Sequence, residues 1–412
     1  MGRAPGNGQR EPLSPPPERA SLAEVLGASL RLGLTSFGGP IAHIGSFRTE
    51  YVERRGWLDD RRFADLLALC QALPGPASSQ LGIAIGTLRA GRLGGIVAWL
   101  GFTVPSAIAL VAFALLTGSL DLADAGWVRG LKLAAVAVVA QAVFAMWRSL
   151  APDVSRSVLV VAAALATLAW PSPFIQVAVI AVGGLLGRLL PAGPATAAGD
   201  RPAPTRAGRR FALACLALFA GLLVGLPVLR EAVGVQALAV TEAFYRAGSL
   251  VFGGGHVVLP LLHESVVPPG WVPEDRFLAG YGAAQAVPGP LFTFAGYLGA
   301  TMTHSPTGPA GATLALGAIF LPSFLLVWGV LPFWDAVRAS AVVRRSLTGI
   351  NAAVVGILLA ALITPVWTSA VATPVDALVA ALAAVALVGG RLPPVAAVAA
   401  VAIATEALDR IA

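Results

Sequence analysis

The chain has 412 residues, of which 57% are apolar and only 12% charged, and its mean hydropathy is +0.80. A water-soluble domain carries about 25% charged residues to keep its surface wet, so a soluble globular fold is excluded and lipid must face much of this chain. The formal charge of +7 comes from arginine, with Lys132 the lone lysine; in a membrane protein such an excess reads first as cytoplasmic loops, and nucleic-acid binding is a poor inference from it.

Residues 1–20 are rich in Pro, Gly and Arg, include Pro15-Pro16-Pro17 and lack an apolar core, so they are expected to form a disordered cytoplasmic tail rather than a cleaved signal. Helical candidates then follow at 22–38, 63–86, 93–118, 128–147, 157–170, 173–190, 211–229, 236–253, 277–300, 310–332, 346–364, 375–390 and 392–408. No Asp, Glu, Lys or Arg occurs from Leu93 to Leu120, from Ser157 to Gly187, from Phe211 to Leu229 or from Phe277 to Trp334, and a crossing helix needs about 20 apolar residues. The pairs 157–170/173–190 and 375–390/392–408 are short and read as tight, tilted hairpins. Residues 191–210 hold Arg201, Arg206, Arg209 and Arg210 among Pro and Gly and read as a polar linker. It separates a first repeat, 21–190, from an extra helix at 211–235 and a second repeat at 236–412.

Thirteen spans with the N-terminus inside place Arg89, Arg92, Arg148, Arg156, the linker arginines, Arg338, Arg344, Arg345 and Arg391 on the cytoplasmic side. One loop disagrees. Arg48 to Arg62 holds five arginines, yet falls outside on this count. Either the segment before it is re-entrant, or the loop belongs to the working machinery.

The two repeats are visible residue by residue. Arg31, Phe37, Gly38 and Gly39 recur 215 residues later as Arg246, Phe252, Gly253 and Gly254. At an offset of 214, Gly56-Trp57 matches Gly270-Trp271, Gln71 matches Gln285, and Pro74-Gly75-Pro76 matches Pro288-Gly289-Pro290. Pro105-Ser106 pairs with Pro322-Ser323 at an offset of 217. Seven candidates precede the second copy's first helix, and an odd number inverts the copies. The expected fold is therefore an all-α polytopic membrane protein of about thirteen helices in two inverted-topology repeats, the plan of many secondary transporters.

The stretches Phe37-Gly38-Gly39-Pro40-Ile41-Ala42-His43 and Gln71-Ala72-Leu73-Pro74-Gly75-Pro76, with their copies at Phe252-Gly253-Gly254-Gly255-His256 and Gln285-Ala286-Val287-Pro288-Gly289-Pro290, resemble the chromate ion transporter family. The resemblance runs from about Ala23 to the C-terminus. It implies a multi-pass inner-membrane protein with antiparallel halves that expels chromate. Gly255 stands where the first copy has Pro40, and Val258 where it has His43, so the two copies are not equivalent there.

Physical chemistry points to the same residues. Pro74-Gly75-Pro76 and Pro288-Gly289-Pro290 cannot continue a helix, and broken backbone inside a membrane survives only against protein or a wet cavity. A half-helix N-terminus at such a break attracts an anion; the alternative is a pair of kinks needed for packing. Gln71 and Gln285 can donate to an oxyanion without adding charge, or bond across helices. Arg31 and Arg246 suit an oxyanion bidentately, or form ion pairs, with Glu242 four residues before Arg246 and Glu24 on the face of Arg31. Gly38, Gly39, Gly253 and Gly254 permit an anion nest or a hinge. His43 and His256 can carry a coupled proton, or serve as hydrogen-bonded interface residues. Trp57 and Trp271 read as interfacial anchors.

The leading expectation is chromate efflux driven by a proton gradient or the membrane potential, with sulfate uptake or exchange as the alternative and an intramembrane enzyme as a distant third. No cofactor, metal site or P-loop is expected. Cys70 and Cys215 read as packing residues. The expected partners are the lipid bilayer, the oxyanion and a coupling proton; association as a homodimer is left open.

Overall fold

The computed structural model describes residues 20–37, 39–119, 126–170, 173–191, 206–252, 255–334, 340–390 and 392–411, all helices and connections with no strand among them. Gly38, Gly253 and Gly254, the first nineteen residues of the tail and most of the 191–210 linker lie outside these.

The first copy opens with two helical hairpins that turn back inside the protein. Helix α1 (Leu22–Thr35) begins on a capping box between Ser21 and Glu24. After the break, α2 (Gly39–Arg48) runs on through a wide turn at Thr49–Arg54. Tyr51 Oη stands 3.3 Å from Ser29 Oγ, and Glu50 faces Arg31 at 3.8 Å, so α2 returns along α1. Helix α3 (Asp60–Ala72) stops at Leu73, whose backbone is extended, and α4 (Ala77–Ser119) starts after Pro76. Arg55 and Arg89 both cover the Trp57 ring, at 5.1 and 5.3 Å. The near arm of α4 therefore ends beside the start of α3, closing the second hairpin. At Ala90 and Gly91 the helix reverses, Gly91 taking φ +71°. Gly86 and Gly94 then meet backbone to backbone across the two arms, the close approach that small residues allow between membrane helices.

Helices α5 (Gly126–Leu150), α6 (Val154–Ala169), α7 (Pro173–Gly187) and α8 (Arg206–Val233) follow. The second copy repeats the plan with α9 (Gln236–Leu250), α10 (Val258–Val266), α11 (Glu274–Ala286), α12 (Phe294–Thr301), α13 (Gly308–Val330), α14 (Ala341–Ala361), α15 (Pro374–Val388) and α16 (Pro394–Ile411). Gly299 meets Gly311 as Gly86 meets Gly94, and Gly248 meets Ile319 as Gly33 meets Phe102. Thr303 N donates to Trp271 O at 2.9 Å, closing the α11–α12 hairpin. The copies also exchange packing partners, with α5 lying on α15 and α16 and α14 on α6 and α7.

Contacts between helix ends fix the direction of each copy. Arg92 covers Phe211 at 3.4 Å, bringing the start of α8 to the end of the bundle where the first copy's hairpins begin. At the other end of α8, Arg230 bonds Glu242 at 3.0 Å, where the second copy's hairpins begin. The copies thus enter from opposite ends and their hairpins reach inward towards one another.

Among the described residues, five helices are long and apolar enough to cross a bilayer: 77–118, 126–150, 208–233, 308–333 and 341–370. The short α6–α7 and α15–α16 pairs are hairpins, as their length led us to expect. Candidates 63–86 and 277–300 are each broken in two at Pro-Gly-Pro, as expected, because apolarity continues through a break that proline and glycine impose on the backbone. One expectation changes. Trp57 and Trp271 are buried and brace hairpin ends instead of facing lipid. Before the Arg48–Arg62 loop the chain turns back on itself, α2 returning along α1.

Candidate functional site

The four hairpin turns close a ring in the middle of the protein. Gly75 N donates to Val251 O at 2.6 Å, and Gly289 N donates to Ser36 O at 2.9 Å. Val251 and Ser36 are equivalent in the two copies, as are Gly75 and Gly289, so the bonds are a reciprocal pair across a pseudo-two-fold. His43 on α2 stands 3.4 Å from Ser78 on α4, joining the first copy's turns. The short helical turns Gly255–Val257 and Leu291–Thr293 pack together and join those of the second. Gly75 and Gly289 take φ +120° and +103°, a region costly to any side chain. A Cβ at Gly75 would stand 2.9 Å from Ser323 Oγ, and one at Gly289 2.7 Å from Ser106 Oγ. These serines follow Pro105 and Pro322, so the matched Pro-Ser pairs are the floor on which the opposite copy's glycine rests.

Buried polar atoms gather at this ring without partners. They are Ser36 Oγ, Ser79 Oγ, Gln80 Oε1, Thr103 Oγ1, Ser323 Oγ and Gln285 Nε2. An unmet buried polar group costs about 1–3 kcal/mol, so ordered water or a polar guest satisfies such a cluster. The second arm of each hairpin also begins at the ring, with helix starts at Gly39, Ala77, Gly255 and Leu291, and a helix start carries N–H groups without intrahelical partners. Hydroxyls, an amide and helix starts suit an anion bound by many weak donors and then released. No arginine or lysine is fully buried among the described residues.

The residues singled out in the sequence divide. Gly75, Gly289 and their flanking Pro74, Pro76, Pro288 and Pro290 form the turns themselves, and Gly39 opens α2 beside them. Gln285 has its amide nitrogen free at the ring, whereas Gln71 is exposed. Arg31 meets Glu50 rather than Glu24, which the capping box holds. Arg246 bonds Glu242 at 2.6 Å, as its spacing suggested, so both arginines stand in ion pairs. His43 is buried against Ser78 and the edge of Phe102, and His256 Nδ1 stands 2.8 Å from Tyr281 Oη. Sequence reasoning missed Gln80, Ser79, Thr103 and Ser323. A signal was present, since Ser78-Ser79-Gln80 directly after a Pro-Gly-Pro is the first turn of a half-helix.

Compared with known proteins, residues 23–188 and 238–405 each match the pattern of the family described as chromate transporter. A chromate transport protein of Pseudomonas aeruginosa is 30% identical over 84% of this chain and 80% of its own length. One from Cupriavidus metallidurans is 27% identical over 83% of this chain and 82% of its own. An uncharacterized transporter of Methanocaldococcus jannaschii is 24% identical over 82% and 83%. No solved structure matches.

Proposed function

The chain belongs to the chromate transporter family, and from that premise we propose that it exports chromate as a secondary transporter, passing the oxyanion through the ring of hairpin turns. The observation that carries this reading is the set of six unpartnered buried polar atoms where both copies' hairpins meet. Sites at the interface of inverted repeats, built from broken helices, are the common plan of secondary transporters. Tetrahedral oxyanions present acceptors in every direction, which matches helix starts and hydroxyls. In the cycle, one copy tilts against the other, so the Gly75–Val251 and Gly289–Ser36 bonds break and reform as the site faces each side in turn. The proton gradient or the membrane potential drives the tilt, with His43 and His256 as the candidate proton carriers. The end that holds Arg55, Arg62, Arg89 and Arg92 faces the cytoplasm of a bacterial-type inner membrane, as does the N-terminus.

Cells producing the chain should resist chromate and hold less chromium, and Gln285→Ala and Ser323→Ala should each lose that protection while still inserting. Inserted variants that protect as well as the parent would overturn the site. Export that continues against a gradient in de-energised vesicles would overturn the coupling. Sulfate exchange is the competing reading, because the same donors fit any tetrahedral oxyanion; labelled-anion flux with sulfate as competitor separates the two.

A further inference from the structure

The first turn of α4 is polar where its counterpart in the second copy is not. The first copy reads Ser78-Ser79-Gln80, and the second reads Phe292-Thr293-Phe294 at the offset of 214. Both phenylalanines are buried, and Thr293 spends its hydroxyl on Pro290 O at 2.7 Å. The ring is therefore lined by apolar side chains on one side of the pseudo-two-fold and by buried polar ones on the other.

Gln80 sets the character of that side. Its side chain is fully buried, and Nε2 donates to Pro74 O at 2.6 Å. A carbonyl only accepts, so the orientation of the amide is dictated and Oε1 is left as a bare acceptor. It has no partner, and neither do the hydroxyls of Ser79 beside it or Ser323 across Gly75. A fully deprotonated tetrahedral dianion would set its own oxygens against Gln80 Oε1. It would also bring two negative charges to a place where no arginine or lysine is fully buried among the described residues.

We propose that this seat selects the singly protonated oxyanion, hydrogen chromate rather than chromate, with the ligand O–H donating to Gln80 Oε1. The hydroxyls of Ser79 and Ser323 donate to its remaining oxygens. The proposal rests on reading the ring as the oxyanion site and says which form enters. Chromate takes up its proton near neutral pH, whereas sulfate does so only in strong acid. A seat with one buried acceptor thus separates two anions of the same shape and charge, as sites built to bond a substrate hydroxyl do. One proton leaves with each anion, so export of this form draws on the membrane potential and not on the proton gradient.

The titratable side chains that packed elements bring towards the seat are His43 on α2 and Cys70 on α3, with the His256–Tyr281 pair across the ring. Helix α1 offers Arg31, held by Glu50, and α13 offers none. The test is chromate binding to the purified full-length protein in lipid nanodiscs across pH 6 to 9, with sulfate as competitor. The apparent affinity for total chromate should fall about tenfold per pH unit once the free anion is deprotonated, because one bound proton is linked to binding, and sulfate should not compete. His43→Gln and His256→Gln should keep that slope. Gln80→Met should flatten it and weaken binding at pH 6 by about ten- to a hundredfold, the worth of one buried hydrogen bond. A flat wild-type profile, competition by sulfate, or a slope that disappears in either histidine variant would overturn the proposal while leaving the site standing. Absence of chromate binding at every pH would overturn both.

Discussion

Gly75 and Gly289 are the residues whose replacement carries the clearest expected cost. Each holds a positive φ, donates its N–H to the opposite copy and lies against a serine. Alanine at either position forces strain of about 1–3 kcal/mol and pushes on the Ser323 or Ser106 hydroxyl. Gly75→Ala and Gly289→Ala should therefore lose most chromate protection, whereas Gly221→Ala, with open space around its Cβ position, should not; resistance assays at matched membrane levels measure this. The ion-paired arginines call for the opposite readout. Glu242 is buried between Arg246 and Arg230, so Arg246→Ala leaves a buried carboxylate with one partner and removes a bond that holds α9. Thermal unfolding of the purified variant should shift downward by several degrees, while chromate affinity stays within about twofold, less than 0.5 kcal/mol. A large loss of affinity without a loss of stability would return Arg246 to the substrate.

At the scale of elements, the hairpins depend on backbone contact rather than on side-chain bulk. Gly248 lies against Ile319, and Gly86 against Gly94, and neither place has room for a methyl group. Gly248→Leu should keep α9 off α13, and Gly86→Val should prevent the two arms of α4 from closing, each costing on the order of 3 kcal/mol or more, since overpacking of this kind exceeds the usual 1–3. Loss of folded protein, read by protease resistance in membranes, checks this. The breaks themselves were legible, because Pro-Gly-Pro cannot continue a helix in either copy. The direction taken by the chain after each break was not. A helix that stops can cross, bend or return, and contacts such as Tyr51 against Ser29, Arg89 over Trp57 and Thr303 on Trp271 show that it returns.

For the whole molecule, the inverted plan predicts accessibility. In a background lacking Cys70 and Cys215, both buried, a cysteine at Arg62 should react with impermeant reagents only from the cytoplasmic side and one at Thr303 only from the opposite side. Labelling of both from one side would break the inverted arrangement. This plan also explains the arginine-rich stretch from Arg48 to Arg62. Once the preceding segment is a hairpin and not a crossing, these residues lie at the same end of the bundle as Arg89 and Arg92.

Composition alone determined that the chain lives in lipid, because too few charges exist to wet its surface. The recurrence of rare residues determined that it has two copies, since apolar bias cannot place Pro-Gly-Pro and Gly-Trp twice in register. Tertiary structure decided which polar residues matter. Gln80, Ser79 and Ser323 carry a weak sequence signal, a polar first turn after Pro-Gly-Pro and a repeated Pro-Ser, and Arg31 and Arg246 carry a strong one. Burial without a partner marks the first group, and a carboxylate within reach marks the second. Both are properties of neighbours brought from distant parts of the chain, which no local pattern encodes.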